Sequence, residues 1–223
     1  MKRIHFLFFT FLAMASCQKQ APDNTGRISS GLQPGEVKIM SFNIRGYTNE
    51  DDVRNMWAMR AGAVRDMFYD QKASVIGLQE CSDGTEWPYV SGVMTPKGYA
   101  CLASDDPQNS ILYLEDELEA IETGVFWQSD TPDKVSECWD GYPRIVRWAV
   151  FRIKANGAKF FYVDTHLGLT PESRIKAMPL IQRRISTYNT ENLPVVFTAD
   201  CNTAAEDSIF DIWKNSMVNV RDV

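Results

Sequence analysis

The 223 residues are 44% hydrophobic and 23% charged, with 13 glycines and 10 prolines, which excludes a disordered, collagen-like or coiled-coil chain. The length fits one large domain or two small ones. Twenty-three basic against 29 acidic residues give a net charge of −6, which argues against a broad basic surface of the kind that grips nucleic acid unaided.

The chain opens with Lys2 and Arg3, followed by an apolar run from Ile4 to Ala15 that is too short to span a bilayer in the usual way. A charged start, a short apolar stretch and small residues after it read as a secretory signal over 1–16. Met14-Ala15-Ser16-Cys17 resembles the bacterial lipobox, in which the cysteine is lipidated and becomes the mature N-terminus. A plain secretory signal cut near Ser16 is the alternative. Residues 17–36 then read as a lipid-anchored tether, leaving 37–223 as the folded domain. These features imply export, with the protein held on a bacterial envelope facing periplasm or exterior.

Beyond the tether, apolar runs each stop on polar residues. The first, Val37 to Ile44, carries Asn43 near its end. A helix is expected over Asp52 to Gln71, with Val53, Met56, Trp57, Ala61, Val64, Met67 and Phe68 on one stripe. A short run, Ser74 to Glu80, follows. Ile111 to Leu114 and Ile121 to Trp127 read as further strands. Arg144 to Lys154 and Lys159 to Thr165 flank Asn156-Gly157, a type I′ hairpin signal. The run Phe160 to His166 ends in Asp164-Thr165-His166. Thr170-Pro171 starts a second helix with Ile175, Met178, Ile181, Ile185 and Tyr188 as its stripe, and Pro179 should kink it. Pro194 to Asn202 ends in Asp200-Cys201-Asn202. Short apolar runs of this kind suit strands buried on both faces. The fold class is therefore α/β, with two mixed, mostly antiparallel sheets packed face to face between helices.

Asn43, Glu80, His166, Asp200 and Asn202 all stand at strand ends, where ligands of such sheets gather. Two carboxylates, two amides and one imidazole form an oxygen-rich set that suits a hard cation such as Mg²⁺ better than zinc. An aspartate beside a carboxamide can hold and deprotonate a water, and a lone histidine can bond a phosphoryl oxygen or act as general acid or base. Period-2 alternation would place Asp200 and Asn202 on one face and Cys201 on the other. Each residue also has a plainer reading. Asn43 can bond backbone, Glu80 can be an exposed strand terminus, His166 an interior histidine, and Asn202 a helix cap.

Ser41-Phe42-Asn43-Ile44, Gly77-Leu78-Gln79-Glu80, Thr165-His166-Leu167 and Ala199-Asp200-Cys201-Asn202 resemble, in order, the motifs of the DNase-like endonuclease/exonuclease/phosphatase superfamily. Gly124 to Trp127, Cys138-Trp139-Asp140 and Arg144 to Ala149 resemble a bacterial branch of it. The resemblance runs from about Val37 to the last residue and implies a four-layer α/β sandwich. It implies Mg²⁺ or Mn²⁺ on Glu80 with Asn43 beside it, water activated by Asp200, and Asn202 steadying water or phosphate. It also implies His166 on the phosphate, Arg144 as a substrate-loop cation and Tyr113 near the phosphate.

The activity implied is phosphoester hydrolysis by an expected monomer, with a small-molecule, lipid or nucleic-acid substrate left open. A nuclease of the same mechanism and a non-catalytic surface lipoprotein are the alternatives. Two departures stand out: Ala199 and Cys201 replace the family's glycine and aromatic around Asp200, and no Ser-Asp-His motif occurs before Val223. On that second ground the domain is expected to be C-terminally incomplete. Cys81, Cys101, Cys138 and Cys201 match no zinc spacing and could be oxidised after export or remain buried thiols.

Overall fold

The computed structural model describes residues 26–46, 52–81, 84–103 and 108–220; the expected signal segment and Cys17 lie outside them. The first sheet has the order β1-β2-β4-β3, with β1 (Ile39–Asn43), β2 (Val75–Gln79), β3 (Tyr99–Leu102) and β4 (Asn109–Leu114). The second has the order β5-β6-β7-β8, with β5 (Leu118–Trp127), β6 (Ile145–Ile153), β7 (Lys159–His166) and β8 (Val195–Asp200). Only β1/β2 and β7/β8 pair in parallel; the other four pairings are antiparallel. All five residues of β2 are buried, as expected for a run with no polar alternation.

The sheets face each other through Val75, Ile111, Leu118, Ala149, Phe151, Phe160 and Tyr162. On the outer face of the first sheet, α1 (Trp57–Gln71) and α2 (Glu86–Met94) bury Trp57, Val64, Phe68, Val90 and Met94. On the outer face of the second, α3 (Pro171–Tyr188) and a 3₁₀ segment, Ser208–Trp213, bury Ala177, Met178, Ile181, Ile185 and Trp213. Helix, sheet, sheet, helix is the four-layer sandwich expected.

Local chemistry explains most boundaries. Asp52 caps a 3₁₀ turn, Val53–Asn55, by accepting from Arg54 N–H, so α1 begins only at Trp57 and Val53 stays exposed. Thr170 caps α3 by accepting from Ser173 N–H, with Pro171 in the first turn. That helix runs unbroken through Pro179, and Ile175, expected on the apolar stripe, is exposed instead.

The β6–β7 hairpin is present, but not with the two-residue turn expected. Its loop runs from Lys154 to Ala158, and of Asn156 and Gly157 only Gly157 takes a positive φ, 76°. A type I′ turn needs both. The end of the presumed tether is also docked. Ile28 packs on the first helical layer and bonds Lys97 O, Arg27 pairs with Asp116 at 2.7 Å, and Ser30 N–H donates to Glu117. No helix among the described residues is long and apolar enough to cross a membrane, and Cys81, Cys101, Cys138 and Cys201 are free thiols.

Candidate active site

The two parallel pairs end side by side, so the C-terminal ends of β1, β2, β7 and β8 deliver their polar residues to one place. Asn43 ends β1. Its Nδ2 donates to Glu80 Oε1 and to Asp200 Oδ2, both at 2.8 Å, while its Oδ1 accepts from Arg45 N–H at 2.8 Å. In this orientation the amide braces the two carboxylates with its donor edge. Glu80 lies just past β2 with φ 60°, and its Oε2 accepts from Gly46 N–H at 3.0 Å. A Cβ on Gly46 would sit 2.9 Å from the Glu80 carbonyl oxygen, so this close approach depends on glycine there.

His166 ends β7 and is 5% exposed. Its Nε2 lies 2.9 Å from Asn202 Nδ2 and 3.8 Å from Asp200 Oδ2. With the amide donating, Nε2 is the acceptor and Nδ1 carries the proton, a tautomer assigned from the network. Burial and then the Arg144 charge lower the imidazole pKa, which favours the neutral ring. Burial works against the charge of Asp200. The Asn202 N–H, the Asn43 amide and the Arg144 charge help outweigh it and hold this carboxyl below its usual range. One ligand atom from each of Glu80, His166 and Asp200 lies within 4.8 Å of the others, a donor set of the right size and chemistry for one hard divalent cation.

Asn202 reaches this cluster by a different route from the one expected. Strand β8 stops at Asp200, and Asn202 turns back with φ 49° while its N–H bonds Asp200 Oδ1 at 2.9 Å. Its Nδ2 also donates to Leu167 O at 2.8 Å. A left-handed turn, not strand alternation, therefore puts Asn202 beside His166. Cys201 accordingly does not point cleanly into the core. It packs partly on the α3-side cluster, also lines a groove of about 750 Å³ along β8, and burial pushes its thiol up to about 12.

Tyr113 is not at the site. It pairs with Val75, at the opposite end of β2 from Gln79, and its ring packs 5.0 Å from Phe151 between the sheets. The resemblance alone sets it near the phosphate, and the register of β4 against β2 overturns that. Arg144 does stand near the cluster, since its charge acts on both His166 and Asp200. Its Nε is buried without a hydrogen-bond partner.

Sequence reasoning missed the polar floor beneath the site. Asp164, fully buried, accepts from Gln79 Nε2 and Thr198 Oγ1, both at 2.7 Å, and from Asn109 Nδ2 at 3.4 Å. These bonds tie β2 and β4 of one sheet to β7 and β8 of the other. Gly77 makes room for them: a Cβ there would lie 2.2 Å from Asp164 Oδ1 and 2.5 Å from the Tyr162 hydroxyl oxygen. Gln128, also fully buried, donates to Thr165 Oγ1 at 2.8 Å and to His166 O at 3.0 Å.

The parallel strand ends of this four-layer sandwich thus gather two carboxylates, two amides and an imidazole. No protein-family model matches the sequence, and neither does any curated protein. Solved structures do. An endonuclease/exonuclease/phosphatase family protein from Bacteroides thetaiotaomicron is 26% identical with a TM-score of 0.71, over 81% of this chain and 69% of that one. A mannosyl-6-phosphatase from Bacteroides thetaiotaomicron VPI-5482 is also 26% identical, with a TM-score of 0.69 over 79% and 69%. The human Nocturnin catalytic domain, 12% identical, shares the fold with a TM-score of 0.64 over 82% and 70%. The chain is a member of the endonuclease/exonuclease/phosphatase superfamily.

Proposed function

We propose that the protein hydrolyses a small-molecule phosphoester with the help of Mg²⁺ or Mn²⁺, at the site formed by Asn43, Glu80, His166, Asp200 and Asn202. The observation that carries this reading is the convergence of Glu80, His166 and Asp200 ligand atoms within 4.8 Å at the ends of strands from both sheets. The likeness to a mannosyl-6-phosphatase supports a small-molecule ester. The acidic balance of the chain disfavours a nucleic-acid backbone.

Glu80 would hold the cation, with Asp200 completing its surroundings. A bound divalent cation polarises the phosphoryl oxygens and offsets their charge. Asp200, kept ionised, accepts the proton of the attacking water. Asn43 fixes the spacing of the two carboxylates. Asn202 Nδ2 holds the His166 ring through Nε2, and Arg144 lends its charge to the phosphoryl oxygens from the 128–144 loop. Export through the segment over 1–16 and anchoring by lipid on Cys17 belong to the same proposal, since they would place the site at an envelope surface.

The test is hydrolysis of p-nitrophenyl phosphate and bis-p-nitrophenyl phosphate by the full chain, with Mg²⁺ and after treatment with EDTA. Turnover should depend on the cation and return when Mg²⁺ or Mn²⁺ is restored. Undiminished turnover in excess EDTA would overturn the metal-dependent reading.

A further inference from the structure

Beside the phosphoester site the loop 136–144 presents a largely exposed aromatic side chain. Tyr142 is 56% exposed, yet its backbone is held firmly. Cys138 N–H donates to Tyr142 O at 2.7 Å, Gly141 N–H donates to Cys138 O at 2.9 Å, and Glu137 bridges Pro143. Gly141 takes the positive φ, 84°, that this tight turn requires. Asp140 then fastens the turn to the segment that follows His166. Its Oδ1 accepts from Tyr142 N–H at 3.3 Å and its Oδ2 accepts from Leu169 N–H at 2.6 Å. Gly168 lets the two segments close, since a Cβ there would lie 2.7 Å from Asp140 Oδ2 and 2.1 Å from Ser173 Oγ.

One carboxylate thus pins the backbone of two residues with exposed side chains, Tyr142 and Leu169 (54% exposed), on the rim next to His166. The Arg144 guanidinium lies 5.9 Å from the Tyr142 ring centroid. Its Nε is buried and unpartnered, and its charge reaches His166 and Asp200. The cation is therefore in reach of both the ring and the reacting site.

We infer that Tyr142 and Leu169 form the subsite for the leaving group, and that this group carries a ring lying face-on to Tyr142 while its phosphoryl oxygens meet Arg144. Rigid, solvent-exposed aromatic and aliphatic walls gain most from covering a flat apolar face, which a pyranose C–H face and an aromatic ring both offer and a short acyclic chain does not. The inference rests on the phosphoester reading and names the class of ester.

Non-hydrolysable phosphonates separate the two claims, because they report binding without turnover. With Mg²⁺ present, calorimetric titration of the full chain compares methylphosphonate, benzylphosphonate and the methylene phosphonate analogue of glucose 6-phosphate. A ring-bearing ligand should bind about five- to tenfold more tightly than methylphosphonate. Tyr142→Ala should erase that gain and leave methylphosphonate affinity within twofold, while Tyr142→Phe keeps it. A gain for benzylphosphonate alone identifies an aromatic leaving group; a gain for the hexose analogue identifies a sugar. Equal affinity of all three ligands for the unaltered chain, or equal weakening of all three by Tyr142→Ala, would overturn the subsite while sparing the phosphoester reading. Failure of every ligand, methylphosphonate included, to bind would overturn both.

Discussion

Folding stability should fall by about 5 kcal/mol between about pH 4 and pH 8 because of Asp164 alone. Burial, opposed by the bonds from Thr198, Asn109 and Gln79 and by the Arg147 charge, raises this carboxyl from 3.8 to about 8. The folded chain therefore keeps a proton that the unfolded chain releases near the ordinary carboxylate value. Over that window the folded state binds more protons, so stability is fully present below the unfolded value and is lost as pH rises toward the folded one. Asp164→Asn copies the protonated form: one oxygen still accepts from Gln79 and Thr198, and the amide replaces the acid O–H. Urea melts at pH 5 and pH 8 should show a marked loss for the unaltered protein and a much smaller one for Asp164→Asn. Equal losses in both would mean that Asp164 is ionised in the folded state.

The second large effect is expected at Asp200. Asp200→Asn keeps the size of the side chain but removes the charge that would take a proton from water. It also turns an N–H₂ group toward donors, since Asp200 Oδ2 accepts from Asn43 Nδ2 and Oδ1 from Asn202 N–H. One of those bonds must be lost whichever way the new amide faces. Loss of a general base typically costs about 10²- to 10⁴-fold in rate, so kcat for p-nitrophenyl phosphate should fall by that order. The variant should melt cooperatively, because Asp200 is only partly buried. A kcat within a fewfold of the unaltered chain would remove Asp200 from the chemistry.

The sequence exposed the strand ends more readily than the turns and the interior. The runs ending in Asn43, Glu80, His166 and Asp200 were legible because each is short, apolar and closed by a polar residue, and the structure brings all four together. Asn202 was found for the wrong physical reason, since its side chain depends on a left-handed turn that alternation does not reveal. Gln79 and Asp164 were hidden because β2 and β7 are buried on both faces. Period 2 then carries no information about which polar residue faces the other sheet. The helix Glu86–Met94 contains Pro88, Ser91 and Gly92, poor helix formers that conceal its buried stripe of Glu86, Val90 and Met94. Tyr113 was set near the phosphate by the resemblance alone; its strand carries it to the opposite end of the sheet, where it packs on Phe151.

The central claim is that Glu80 and Asp200, in the cluster they share with His166, hold one divalent cation. Calorimetric titration of Mn²⁺ into the full chain tests it without needing turnover. One equivalent should bind, and Glu80→Gln should weaken that binding at least tenfold while the melting profile of the metal-free protein is retained. Absence of any saturable Mn²⁺ binding, or unchanged affinity in Glu80→Gln, would contradict the account.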